Sequence, residues 1–167
     1  MKKRWISLCM CILILASLLT GCGTNTRKIK FGAAGLGGTY RVFGDTFANL
    51  VTSKNKKYSM EVKTTAGSAA NLRLLSDGYI QMAIAQMDLT NDAYERTGIF
   101  ENEKKHGGYS AVVALYTEAC QVVVRADSGI NTIEDLQDKR VSVGEEESGT
   151  EQNAKQDRKS TRLNSSH

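Results

Sequence analysis

Three loops rich in glycine and hydroxyl residues constrain the fold of this chain more than any other feature of its sequence. Each loop follows an apolar run with the pattern of a β-strand and precedes residues at helical spacing. The loops are Gly35 to Tyr40, Thr64 to Ser68 and Glu147 to Thr150. Helix N-termini leave backbone N–H groups unpaired and carry partial positive charge, so such loops in one cleft would bind a small anion such as a carboxylate. The sequence therefore predicts a ligand site, and it contains no comparable cluster of candidate catalytic side chains.

The segments around the first two loops predict an α/β fold with a parallel sheet. Strands are predicted at 28–34, 58–64 and 80–85, and each is followed by a segment with helical spacing. Thr39 and Ser68 are candidate N-caps of the first two helices, and Asp88 or its neighbour is expected to begin the third. Strands separated by helices imply parallel pairing, and ligands of such sheets bind beyond the carboxyl ends of the strands. All three loops are expected at such positions.

The second half of the chain predicts the beginning of another lobe. The run 111–125 is too long and too rich in β-forming residues for one ordinary strand, so it is either two strands or one strand that crosses between lobes. We expect an incomplete first lobe at 28–115, a crossover or hinge strand at 116–125 and the start of a second lobe at 126–156. In that second lobe, Asn131 or Thr132 is expected to cap a helical turn at 133–136. A further strand is predicted at 139–143, leading into the third loop.

Both ends of the chain are expected to lie outside the fold. Residues 1–21 have the basic start and apolar stretch of a secretory signal, and the letters LTGC at its end resemble a bacterial lipobox, which predicts a lipid on Cys22. A short polar linker at 22–27 would follow. Residues 157–167, DRKSTRLNSSH, match a reading frame of a widely used sequencing adapter and are predicted to be a non-native tail. The natural protein is then expected to continue past Gln156, with the rest of the second lobe beyond it.

Charge and cysteine usage exclude several classes of function. The whole chain has 22 Lys and Arg against 18 Asp and Glu, but residues 22–156 alone have 16 against 17, a net charge near −1. The basic excess therefore belongs to the two ends, and no nucleic-acid surface is predicted. Cys120 is the only cysteine after Cys22, so no disulfide framework is expected, and Cys120 is predicted to be a small buried hydrophobe. His106 is flanked by lysines and a glycine, which predicts a solvated loop without a metal or catalytic role.

Other chemistries of glycine loops fail on residue identity. A dinucleotide fingerprint that starts at Gly35 would need glycine where Tyr40 stands, and a phosphate-binding P-loop would need lysine where Gly38 stands. A serine-hydrolase elbow would need glycine two residues before and after Ser68, where alanines stand. Outside the predicted tail, His106 is the only histidine that could serve as its base. No cofactor is therefore predicted.

With these loops in view, the chain resembles the N-terminal half of a solute-binding protein of the TAXI family, the receptors of tripartite ATP-independent periplasmic (TRAP) transporters. The matching stretches are FGAAGLGGTYRVFGDTFANLV, TTAGSAANLRLLSDGYIQMAIAQMDLTNDA and VVVRADSGINTIEDLQDKRVSVG, with ESGT after the last. The resemblance implies a two-lobed, type II periplasmic-binding-protein-like α/β fold that closes on a small carboxylate-bearing solute. Here that fold would be truncated after the start of the second lobe.

The resemblance also implies which residues contact the solute. They lie at the three loops and at the end of the third strand: Gly38, Thr39, Tyr40, Gly67, Ser68, Gln86, Asp88, Ser148, Gly149 and Thr150. Glu147 departs from the pattern, because the family commonly has glycine there, and with Glu145 and Glu146 it makes the third loop acidic. Acid beside an anion site is unfavourable, so either these side chains point outward or the solute differs.

The expected function is that of a lipid-anchored receptor at the outer face of the cytoplasmic membrane or in the periplasm. It would deliver a small organic anion, of the amino acid or dicarboxylate class, to a TRAP-type membrane permease, without catalysis. Two alternatives stay open. An ABC-type substrate-binding lipoprotein would share the two-lobe architecture, and an envelope serine hydrolase would use Ser68 with His106 as its base.

Overall fold

The computed structural model describes the backbone of residues 26–164 and the side chains of residues 26–156. The predicted signal segment, the lipidation site Cys22 and most of the polar linker lie outside the described residues. The last three residues of the predicted tail also lie outside them, and the earlier part of that tail is described by its backbone alone.

Three parallel strands form the sheet, as the sequence predicts. They are β1 (Arg27–Gly32), β2 (Tyr58–Lys63) and β3 (Met82–Ala83), in the order β2-β1-β3. In this register Phe31 of β1 lies opposite Val62 of β2 on one side and opposite Met82 of β3 on the other. The first strand in the sequence is thus the central one. β3 is shorter than the predicted run because only the last two residues of β1 pair with it.

A helix follows each strand, and another begins at the third loop. The helices are α1 (Thr39–Lys54), α2 (Ser68–Ser76), α3 (Met87–Glu95) and α4 (Gly149–Asn164), with 3₁₀ turns at Gly98–Phe100 and Glu134–Leu136. α4 continues into the tail that the sequence predicts to be non-native and to lie outside the fold. The predicted capping by Thr39 and Ser68 is wrong, because each is the first helical residue. Gly38 and Gly67 take the N-cap positions without a side-chain hydrogen bond, and Gly67 does so at a φ of +132° that favours glycine.

One face of the sheet is covered by α1. Consecutive side chains of a strand point to opposite faces, and Phe31 points to the face where Phe43 and Phe47 of α1 pack. The ring centroids of Phe31 and Phe47 lie 6.1 Å apart, and burial of a phenylalanine side chain stabilises a fold by about 2 kcal/mol. Gly44 lets the helix approach closely, since a Cβ there would lie 3.1 Å from the side chains of Phe31 and Val62.

On the opposite face, α2 contacts the end of the sheet at Gly32, where a Cβ would lie 2.6 Å from Asn71 Oδ1. The ion pairs of Glu61 with Lys28 (2.9 Å) and Lys63 (2.6 Å) lie along the rest of that face. α2 and α3 pack against each other. Helical spacing gives each of them one apolar side, and together with the first 3₁₀ turn they form a second buried cluster. Its members are Ala69, Leu72, Leu89, Ala93 and Phe100. The loops that follow the three parallel strands leave the sheet at the same edge.

The run 111–125 forms no strand, and neither does the run 139–143. Within the described part of the chain no segment pairs with either run, so the valines of the longer run are exposed, Val123 to 88%. An apolar alternation becomes a strand only where a neighbouring strand satisfies its backbone groups. For the same reason Cys120 is exposed, which contradicts the prediction that it is a small buried hydrophobe.

The second 3₁₀ turn lies where the sequence predicts a helical turn. Its capping differs from the prediction, because Asp135 inside the turn supplies the acceptor. Asp135 Oδ2 accepts hydrogen bonds from the backbone N–H groups of Asn131 (2.8 Å) and Thr132 (2.9 Å). A carboxylate that reaches back satisfies two donors at once, which one hydroxyl or amide oxygen at either earlier position does less effectively.

Candidate functional site

A buried asparagine holds the carboxyl ends of β1 and β3 together. Asn71 of α2 is fully buried, and its Nδ2 atom donates to the carbonyls of Ala33 (2.7 Å) and Ile84 (2.8 Å). The position of β1 that faces it is Gly32, where a Cβ would lie 2.6 Å from Asn71 Oδ1. These contacts fix the points at which two of the loops leave the sheet. Our sequence analysis missed Asn71, although a lone amide on the apolar side of a helix is a signal of such a role.

A cleft of about 820 Å³ lies at this edge of the sheet. Nine of the ten predicted contact residues line it: Gly38, Thr39, Tyr40, Gly67, Ser68, Gln86, Ser148, Gly149 and Thr150. Asp88 does not line the cleft. It is exposed in the first turn of α3, where its Oδ1 atom accepts from the backbone N–H of Leu89 (2.8 Å). The structure thus brings the three loops to one cleft, and Asp88 serves the start of its own helix.

Ser68 and Gln86 join the N-termini of α2 and α3. Ser68 is 1% exposed, and its Oγ atom accepts from the backbone N–H of Gln86 (3.1 Å). Among the described residues, Gln86 Oε1 is buried without a hydrogen-bond partner. The amide also lies against α4, since a Cβ on Gly149 would be 1.3 Å from Gln86 Oε1. A side chain at position 149 would therefore displace the Gln86 amide, whose oxygen is buried there without a partner among the described residues.

Tyr40, in the first turn of α1, presents a protonated phenol to the cleft. Its hydroxyl donates to Glu118 Oε2 at 3.2 Å. Burial raises the pKa of Tyr40 above its ordinary value of about 10, a hydrogen bond with Ser68 opposes this, and the charge of Glu118 raises the pKa further. The phenol therefore remains a hydrogen-bond donor at neutral pH. Sequence analysis missed Glu118, because it lies in a run whose pattern predicts a strand.

The third loop ends in a capping arrangement that sequence analysis also missed. Ser148 precedes α4, and its Oγ atom accepts from the backbone N–H of Glu151 (3.1 Å). The Glu151 carboxylate in turn accepts from the backbone N–H of Glu147 (2.9 Å). Ser148 and Glu151 have the spacing of a capping box, so the letters SGTE contained the signal. The Ser148 hydroxyl is thus used by the helix, and Gly149 and Thr150 carry first-turn N–H groups that have no acceptor within α4.

The second and third loops contact each other. The backbone N–H of Ala69 donates to the carbonyl of Glu147 (3.2 Å). A Cβ on Gly67 would lie 3.2 Å from Ser148 Cα, so the two backbones approach closely. Glu147 has a φ of +66°, in the left-handed region that favours glycine. The backbone conformation at position 147 therefore favours glycine over the glutamate that this chain has there.

The side chain of Glu147 pairs with Arg73 and does not line the cleft. Arg73 Nη1 lies 3.2 Å from Glu147 Oε1, an ion-pair contact whose angles are not those of a hydrogen bond. Arg73 also donates twice to Glu103, from Nε to Oε2 (3.0 Å) and from Nη2 to Oε1 (2.6 Å). Of the two outcomes expected for an acidic third loop, Glu147 follows the first, because its carboxylate pairs with Arg73 outside the cleft.

His106 completes this charged cluster, and it is buried. It is 2% exposed, its Nε2 atom lies 2.7 Å from Glu103 Oε2, and its ring packs against Phe100 with centroids 5.4 Å apart. The prediction of a solvated loop is therefore wrong. The two lysines that precede His106 are exposed, and the contacts with Glu103 and Phe100 offset part of the cost of burying the imidazole, whose Nδ1 has no partner among the described residues. No hydrogen bond within the described range joins His106 to Ser68.

Comparison with protein-family models matches residues 31–161 to the NMT1-like family. The match spans well over half of the chain and includes all ten predicted contact residues. The chain belongs to the NMT1-like family. NMT1-like domains belong to the periplasmic solute-binding proteins, which implies a transported small-molecule ligand and a membrane transporter as partner. The sequence-based assignment to extracytoplasmic solute-binding receptors is confirmed at the level of this class.

The fold agrees with membership of the NMT1-like family. A mixed α/β structure with a small parallel sheet is consistent with a periplasmic-binding-protein-like fold. Solute-binding proteins of this kind are typically periplasmic or extracytoplasmic. Of the helices described between residues 26 and 164, none combines the length and the apolar character needed to cross a membrane.

Proposed function

We propose that this NMT1-like protein is the receptor of a TAXI-type TRAP transporter, which binds a small carboxylate-bearing solute and delivers it to a membrane permease. The observation that carries the proposal is the meeting of three helix N-termini, those of α1, α2 and α4, at one cleft. The first turn of a helix presents unpaired N–H groups and the positive end of the helix dipole. A carboxylate suits them because one charge can accept several hydrogen bonds.

The donors for this carboxylate come mainly from α1 and α4. In α2 the N–H of Ala69 is already bonded to the third loop. Thr39 and Tyr40 at the start of α1, and Gly149 and Thr150 at the start of α4, line the cleft from two other directions. A carboxylate between these two helix starts would satisfy first-turn donors that have no acceptor within their own helices.

Glu118 favours an amino acid over a dicarboxylate within the proposed solute class. The Glu118 carboxylate lines the same cleft as the helix N-termini. An ammonium group would pair with Glu118 while the carboxylate bonds the helix starts. The second carboxylate of a dicarboxylate would instead be repelled by Glu118.

The anchoring and closure of the receptor complete the proposal. We place a lipid on Cys22, which would hold the protein at the outer face of the cytoplasmic membrane or in the periplasm. We also assign residues from about 126 onward to a second lobe that closes on the first. The close approach of Gly67 and Ser148 supports this, because it unites the first lobe with the loop assigned to the second.

The two alternatives make different demands on the same cleft. An ABC-type receptor would bind its solute in the same way, and the permease that co-purifies with the protein distinguishes the two. A serine hydrolase would need a base for Ser68. The Ser68 hydroxyl oxygen instead accepts from Gln86, and His106 is bonded to Glu103, so no catalytic step is proposed.

Thermal unfolding of the full chain with a panel of solutes tests the proposal. The panel pairs amino acids with the acids that lack the amino group, such as aspartate with succinate, and with their α-carboxamides. A solute at 100 times its Kd stabilises the folded state by about 2.7 kcal/mol, which raises the Tm measurably. We expect at least one amino acid to stabilise saturably, its des-amino partner less, and its carboxamide not at all.

Each outcome of the panel separates one part of the proposal from the others. A panel without any stabilising solute contradicts the receptor function. A dicarboxylate that stabilises more than its amino acid contradicts only the role given to Glu118. An esterase activity that Ser68→Ala abolishes, with solute binding unchanged, favours the hydrolase.

A further inference from the structure

The contact between the second and third loops rests on one hydrogen bond and one close approach of backbones. Ala69 lies in the first turn of α2, so its N–H has no acceptor within its own helix, and it donates to the carbonyl of Glu147. That carbonyl is aimed at Ala69 while Glu147 has the left-handed φ of +66°. A glutamate in this region is less favourable than a glycine, so another interaction is needed to hold it there.

Arg73 provides one such interaction, in addition to the hydrogen bond from the Glu147 N–H to the Glu151 carboxylate, and Arg73 is itself held firmly. Its guanidinium forms two hydrogen bonds with Glu103 and lies over the ring of Phe100, 4.9 Å from the centroid. Glu103 is bonded in turn to the buried His106. Because these contacts fix the guanidinium, its remaining edge faces Glu147 without a large cost in side-chain freedom.

We infer that Glu147 is a positioning residue, whose ion pair with Arg73 holds the third loop against the N-terminus of α2. The ion pair joins the same two segments as the bond from Ala69 to the Glu147 carbonyl. Each contact therefore supports the other, and both are lost when the loops separate. The inference about loop position stands by itself, and its relevance to solute affinity rests on the proposed function.

Hydrogen exchange at the Ala69 amide tests this without any solute. The Ala69 N–H is hydrogen-bonded to the carbonyl of Glu147, so its exchange rate depends on how often the loops separate. Replacement Glu147→Gln in the full chain is expected to raise that rate about threefold, the size of a partly exposed ion pair. The backbone N–H of Asn71 donates to the carbonyl of Gly67, the N-cap of the same helix, and we expect its exchange rate to stay unchanged.

Two further variants and a salt series make the test specific. Glu146→Gln removes the same charge from an exposed neighbour and should leave Ala69 unchanged. Glu147→Gly relaxes the backbone but removes the ion pair, so exchange should rise as in Glu147→Gln. In 1 M salt the rate of the natural sequence should approach that of Glu147→Gln, because salt screens partly exposed pairs.

The inference is overturned if Glu147→Gln exchanges at the rate of the natural sequence. It is equally overturned if Glu147→Gly protects Ala69 better than glutamate does, because backbone conformation alone would then hold the loop. Neither result bears on the solute panel. A flat panel with the expected exchange rates would refute the receptor function and leave the role of Glu147 in place.

Discussion

Replacement Asn71→Ala should destabilise the protein strongly, because one side chain serves two strand ends. Asn71 donates to the carbonyls of Ala33 and Ile84, at 2.7 and 2.8 Å. Two buried neutral hydrogen bonds contribute about 2 kcal/mol together. The carbonyl of Ala33 keeps a second donor, the hydroxyl of Thr65 at 2.9 Å, so the carbonyl of Ile84 is the one left without its side-chain donor. An unsatisfied buried carbonyl costs about 1–2 kcal/mol more, which gives a total of about 3–4 kcal/mol.

Urea unfolding of the full chain, followed by far-UV circular dichroism, measures this loss. Asn91→Ala, which removes an exposed asparagine from α3, is the matched control and should change the free energy of unfolding by less than about 0.5 kcal/mol. Asn71→Asp should destabilise at least as much as alanine at neutral pH, since a carboxylate of the same shape faces two carbonyls without a proton to donate. A loss below about 1 kcal/mol for Asn71→Ala would refute the reasoning, because the strand ends would then not depend on the amide.

Two further predictions concern the cleft and the charged cluster beside it. Gly149→Ala should displace the Gln86 amide and abolish the stabilisation by whichever solute the natural sequence binds. The control is Gly37→Ala, where a Cβ meets nothing within 4 Å, and this variant should be stabilised by the solute as the natural sequence is. Equal solute-dependent Tm shifts in both variants would contradict this placement of Gln86. In the charged cluster, the hydrogen bonds of Glu103 with Arg73 lower the pKa of Glu103 to about 2. The ionised Glu103 carboxylate therefore stabilises the fold above pH 4.5, and this contribution is lost as the pH falls from about 4.5 to about 2. With 31% of that side chain exposed, Glu103→Gln should cost about 1–2 kcal/mol at pH 7 in urea unfolding and much less near pH 2, and a cost that does not depend on pH would contradict the assignment.

The α/β core could be predicted from the sequence because its signals are local. β1 and β2 alternate within six residues each, and glycine loops separate them from helices with clear apolar spacing. The predicted bounds of these two strands therefore agree with the structure to within two residues. The order of the strands could not be predicted in the same way, because it depends on pairing between residues that are far apart in the chain.

Features that depend on distant partners were missed or wrong. The run 111–125 has the local pattern of a strand, but a strand also needs a neighbour, and the pattern says nothing about one. His106 has neighbours typical of a solvated loop, yet its burial depends on Phe100 and Glu103, which local spacing does not reveal. The ion pair between Glu147 and Arg73 joins the third loop to α2, and local spacing does not reveal that contact either. In the candidate site, the backbone donors and the local capping pair of Ser148 and Glu151 were therefore predictable, and the contacts between distant side chains were not.

The central position of β1 has a consequence for the order in which contacts form during folding. β1 gains its second neighbour through Met82 and Ala83, which lie about fifty residues further along the chain. The approach of Ser148 to Gly67 closes a longer loop, about eighty residues, and non-local contacts of this kind form slowly. We therefore expect the sheet to form before the cleft, so that a partly folded intermediate would have its sheet and yet be unable to hold a solute.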